Sequence, residues 1–184
     1  MHFLNFHTVK EMEYFKQFDI RFGSFTLGQH QMKMEIKRSF FEKYKNDDIK
    51  DSDIQVDITV ERKETMVSLN FDIHGRIISF CDVCLEDLTI FVSKQEMLIL
   101  KTTGAAKESD TENIVFVGEK AHSYNVEQVL YEYIVTAMPM RKVHQETGTE
   151  TCNPDMLKWI DAVNDAPPPQ EDERWEVLKK LKFK

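Results

Sequence analysis

No stretch of this chain approaches the ~18 consecutive apolar residues that a membrane-spanning helix requires. Its first residues, Met1-His-Phe-Leu-Asn-Phe-His, lack the basic segment and long apolar run of a secretory leader. A disulfide framework is missing too, because the three cysteines are odd in number and two of them form a CxxC pair. These absences predict a reducing, cytoplasmic location and no membrane role. Common catalytic and nucleotide-binding signatures do not occur either: no G-x-G-x-x-G, no G-x-x-x-x-G-K-S/T, no H-E-x-x-H, no G-x-S-x-G. Carboxylate pairs such as Glu146/Glu150 and Glu171/Glu173 sit in polar loops and read as solvated faces. Nothing selects a small-molecule substrate. A net charge of −8 opposes non-specific contact with nucleic acid.

What is present suits one domain, or one domain with an appendage, in 184 residues. At this length roughly 70% of the unfolded surface can be buried, so a core needs no disulfide or metal. Thirteen Phe and nine Met suggest adaptable packing or a forgiving contact surface. Charge is uneven. Lys179, Lys180, Lys182 and Lys184 form an acid-free tail, whereas Asp161 to Glu176 holds six acids against Arg174. Such a tail reads first as a solvated helix end. Together with Arg141 and Lys142, it is also the place for any local contact with RNA or a partner.

Alternating apolar and polar residues dominate the first two thirds of the chain. Phe18 to Phe22 and Gln31 to Lys37 read as strands, with a turn at Phe25 to Gln29 pivoting on Gly28. Ser39 and Glu42 match a capping box. The clearest strand signal is Ile54, Val56, Ile58 and Val60 alternating with Gln55, Asp57, Thr59 and Glu61. Met66 to His74 alternates again, Gly75 suggests a tight connection, and Arg76 to Phe80 leads into the CxxC. Leu88 to Leu100 reads as a strand with a possible bulge, and Ile114 to Val117 as a last short one. Asn125 caps a helix to Ala137, Asn153-Pro154 starts another, and Ala166 to Glu173 reads as an acidic linker. Trp175, Leu178 and Leu181 form a final apolar stripe. The predicted fold class is α+β: an antiparallel, partly closed sheet of five to seven strands with C-terminal helices packed on it. Residues 1–124 would form the β-rich domain, and 125–184 a helical segment of the same fold.

The thiols carry the chemistry. Cys81 and Cys84 could form a redox pair, but that wants a helix N-terminus. Here the approach is strand-like, and Asp82, Glu86 and Asp87 should raise a thiol pKa. A closed zinc site needs two further ligands, since structural zinc is four-coordinate. Cys152 and His144 can supply them, giving Cys81, Cys84, His144 and Cys152. The bland alternative is that the thiols are small buried hydrophobes and His144 a solvated loop residue. His2, His7, His30, His74 and His122 read as surface or structural residues.

Four segments in order resemble the YceD-like family, the large ribosomal RNA subunit accumulation proteins. They are Cys81-Asp-Val-Cys84-Leu-Glu, Tyr131-Glu-Tyr-Ile-Val-Thr-Ala-Met-Pro139, Val143-His144 followed by Cys152-Asn, and Asp172-Glu-Arg-Trp-Glu-Val-Leu-Lys-Lys-Leu181. Val83, Arg141-Lys142 and Glu173 depart from the family pattern, which puts an Arg at the first place and prolines at the others. The resemblance implies a bacterial, non-enzymatic factor in ribosome biogenesis. Its expected partner is a ribosomal protein or a ribosomal RNA precursor, and structural zinc at the four-residue site becomes more credible. The alternative from another class is a metal-dependent or thiol-redox enzyme.

Overall fold

The structure, a computed structural model, describes residues 14–102, 113–147 and 151–164. Five strands form one sheet: β2 (Gly28–Lys37), β3 (Asp51–Arg62), β4 (Met66–Phe80), β5 (Asp87–Lys101) and β6 (Ile114–Phe116), in the order β2-β3-β4-β5-β6. A separate antiparallel pair joins β1 (Asp19–Ile20) to β7 (Tyr124–Asn125). The helices are α1 (Arg38–Lys43), α2 (Glu127–Ala137), α3 (His144–Thr147) and α4 (Pro154–Asn164). None is long and apolar enough among the described residues to cross a membrane.

The α+β class holds, but the sheet is mixed and open rather than antiparallel and partly closed. β6 runs parallel to β5, with Ile99 opposite Ile114. Parallel neighbours need a connection of about a dozen residues or more, and residues 102–113 provide that length. β2 and β6 are opposite edges of the sheet and do not pair.

The alternation read in β3 is the alternation of the fold. Ile54, Val56, Ile58 and Val60 are buried on the inner face with Leu69, Phe71 and Ile73 of β4. Each such side chain contributes about 1.5–3 kcal/mol relative to exposure. Phe40 and Phe41 of α1 and Leu130 and Ile134 of α2 complete the core. Tyr133 of α2 meets Phe71 edge-on, 5.8 Å between ring centroids.

Four local expectations change. Gly75 is not a turn, since β4 runs through it. A Cβ there would lie 2.3 Å from the Asp53 carbonyl oxygen and 2.6 Å from the Ile54 Cα, so the glycine marks close backbone approach within the sheet. The Ser39 capping box does not form, because α1 already begins at Arg38; the Lys37 N–H instead donates to the Tyr14 hydroxyl at 3.0 Å. Only Asp19–Ile20 of the first predicted strand is extended, and a short 3-10 turn follows at Phe22–Ser24. The β4–β5 register runs unbroken from Met66 opposite Lys101 to Phe80 opposite Asp87, without a bulge. These two strands of 15 residues form a long hairpin whose tip carries the CxxC. The linker at 166–173 and the Trp175, Leu178 and Leu181 stripe lie outside the described residues.

Candidate metal centre

Where β4 ends at Phe80, the chain turns back through residues 81–86. Cys81 N–H donates to the Glu86 carbonyl at 2.8 Å, and Leu85 N–H to the Cys81 carbonyl at 2.9 Å. That closure puts Leu85 in the left-handed region, φ 61°, with its side chain exposed, while Cys81 and Cys84 turn inward. The second half of the centre lies beyond α2, where Met138-Pro139 stops the helix. Val143 and His144 are buried at the start of α3, and Cys152 is buried just before α4.

Polar contacts fasten the two halves together. Asp82 N–H donates to the Lys142 carbonyl at 2.7 Å, and Lys142 N–H returns to Asp82 Oδ2 at 2.6 Å. Asn153 Nδ2 donates to Glu86 Oε1 at 2.7 Å. Lys50 pairs with Asp87 across the base of the hairpin tip. The sequence alone did not signal these contacts, because each joins residues tens of positions apart.

The four donor atoms of Cys81, Cys84, His144 and Cys152 lie within 4.8 Å of one another. Cys81 Sγ is 3.8 Å from Cys152 Sγ, and His144 Nδ1 is 3.5 Å from Cys84 Sγ and 3.6 Å from Cys152 Sγ. Zinc bonds of about 2.3 Å to sulfur and about 2.0–2.1 Å to nitrogen, set tetrahedrally, separate the donors by about 3.8 Å (S to S) and about 3.5 Å (S to N). The donor set fits such an ion. His144 Nε2 lies 3.1 Å from the Asp87 carbonyl oxygen. A proton on Nε2 leaves Nδ1 as the free lone pair facing the sulfurs, the orientation that outer hydrogen bonds impose on histidine ligands.

The acids beside the thiols do not act as their sequence positions suggest. Asp82, Glu86 and Asp87 are turned to the Lys142 N–H, Asn153 and Lys50. Burial pushes the Cys81 thiol up, but backbone N–H groups of Cys84, Val83 and His144 outweigh it and lower the thiol from 9.0 to about 6. Cys152 goes the other way, to about 11, through burial and then its bonds to Cys81 and Cys84. One thiolate is thus favoured and the next opposed, a frustration that a divalent cation relieves. Cys81, fully buried, offers no surface to a redox partner.

Of the predicted contact residues, Arg141 is exposed and pairs with Glu146 at 3.3 Å, and Lys142 is held by Asp48 at 3.2 Å. Lys179, Lys180, Lys182 and Lys184 lie outside the described residues. A model of the family described as large ribosomal RNA subunit accumulation protein YceD matches residues 69–182. The chain belongs to that family. No curated protein and no solved structure matches it. The YceD match begins within β4 and takes in both halves of the thiol centre, so the hairpin tip and the segment docked on it fall inside the family region.

Proposed function

We propose that this YceD-family chain is a non-enzymatic ribosome-biogenesis factor that supports accumulation of large-subunit ribosomal RNA by binding a ribosomal protein or an RNA precursor. The observation that carries this reading is the family match over residues 69–182. Cys81, Cys84, His144 and Cys152 would hold one zinc ion as a structural clasp. A complete set of four protein donors, none more than 5% exposed, supports that role. It leaves no coordination position for substrate or water, the feature that catalytic zinc sites keep open. The acidic balance of the chain favours a basic protein partner over bulk RNA contact. Any direct RNA contact would fall to Arg141, Lys142, Lys179, Lys180, Lys182 and Lys184; of these, Arg141 would have to leave Glu146 and Lys142 to leave Asp48. The test is depletion of the protein in its native cell, followed by subunit profiles and large-subunit RNA levels. Both should fall and be restored by the wild-type chain; unchanged profiles would refute the assignment.

A further inference from the structure

The outer face of the five-stranded sheet is the one large surface that no described element covers. Gln31, Asp53, Asp72, His74, Phe91, Gln95 and Met97 are all exposed on it, while the apolar helix residues pack against the other side. Along its middle run two neighbouring concavities. One, of about 460 Å³, is lined by Asp57, Asn70, Asp72, Gln95 and Met97. The other, of about 450 Å³, is lined by Asp53, Gln55, His74, Arg76 and Phe91.

Two features of this trough are costly for a merely solvated face. Asp57 and Asp72 stand directly opposite each other in the β3–β4 register, an arrangement of like charges that destabilises a sheet. Lys33 answers Asp57 at 2.9 Å, while Asp72 has no ion pair among the described residues. Four residues further along the same face, Phe91 is 69% exposed, opposite Arg76. Asp51, Asp53 and Glu61 extend the row of acids along β3, Asp53 pairing with Lys37 and Glu61 with Lys63, and on the strands of this face seven acids stand against the cations Lys33, Lys37, Arg76 and Lys101.

We infer that this trough docks a lysine- and arginine-rich polypeptide segment, with Asp57 and Asp72 pairing its cations and Phe91 stacking against a guanidinium or an alkyl stem. An extended cationic chain lying along the trough would reach the acid pair and the ring in turn, because cations bind both carboxylates and aromatic faces. The same carboxylates repel phosphate, so RNA is disfavoured here. The inference names a surface for the partner of the assembly role proposed above, but its test does not depend on that role.

The experiment uses the full metal-loaded chain and fluorescence anisotropy with two probes, a 20-residue Lys/Arg/Gly peptide and an oligo-uridine of equal length. Wild-type protein should bind the peptide, more weakly as salt rises, and should leave the RNA free. Asp57→Asn with Asp72→Asn should weaken peptide binding at least tenfold, and Phe91→Ser several-fold, with circular dichroism and metal content unchanged. Undiminished binding by these variants, or no peptide binding by wild type, overturns the inference. RNA binding lost through the same substitutions would also overturn it, giving the face to nucleic acid. Peptide binding that survives alongside unchanged subunit profiles would sink the assembly role and leave this surface standing.

Discussion

Replacing Cys84 by serine removes one of four donors while leaving a side chain of similar size at a position only 4% exposed. If the thiols were only small hydrophobes, the penalty would be that of a buried hydroxyl, about 1–3 kcal/mol, and a chelator would change nothing further. With a metal in place the arithmetic differs. An ion held at a thousand times its Kd contributes about 4 kcal/mol to the folded state. For a chain of this size each kcal/mol moves the melting midpoint by about 2–4 °C, so removing the ion should lower it by about 8–16 °C. The assay is thermal melting of wild type and Cys84→Ser with and without a tight chelator, alongside elemental analysis. Wild type should carry one zinc and lose that increment on chelation, whereas Cys84→Ser should carry none, melt a few degrees below the chelated wild type because of its buried hydroxyl, and ignore the chelator. A wild-type midpoint unmoved by chelation, with no bound metal, would refute the clasp.

Gly75→Ala should destabilise by about 1–3 kcal/mol, read from urea midpoints, because its Cβ would press on the β3 backbone rather than on a movable side chain. Leu85→Gly should stabilise by about 1 kcal/mol or be neutral in the same measurement, since a left-handed φ of 61° is costly for leucine and free for glycine. In the metal-free protein, stability should rise as pH goes from about 6 to 9. Cys81, lowered to about 6 when folded, is then ionised in the native state before the unfolded one. Above pH 9 the trend should reverse towards about 11, because folding holds Cys152 protonated where the unfolded thiol ionises. Denaturation midpoints that do not vary across that range would contradict both shifts.

The parts of the fold legible in the sequence are those where one strand's pattern determines its own burial. Ile54 to Val60 alternate in the sequence because alternate residues enter the core, so β3 needed no partner to be recognised. The thiol centre was legible for a different reason: few residue types hold a soft metal, and only one cysteine and one plausible histidine remained to complete the pair. What was not legible depends on contacts between distant segments. Gly75 looks like a turn until β3 is laid against it, and Ser39 looks like a cap until Tyr14 is seen taking the Lys37 N–H. The direction of β6 depends on where residues 102–113 return the chain, which no local pattern encodes. Acids next to a cysteine in sequence suggested a raised thiol pKa; backbone N–H groups nearer in space lowered it.

The β4–β5 hairpin is built from neighbours in the chain and can assemble as soon as its second strand has been synthesised. Its thiols then wait. His144 follows Cys84 by 60 positions and Cys152 follows Cys81 by 71, so for much of translation the tip is a two-donor fragment with weak hold on any ion. The four donors come together only when α2 has formed and the segment behind it has returned to the hairpin. On the proposed reading, metal uptake would be a late step in the folding of this chain. A chain interrupted before residue 152 would carry every described strand but lack the fourth donor.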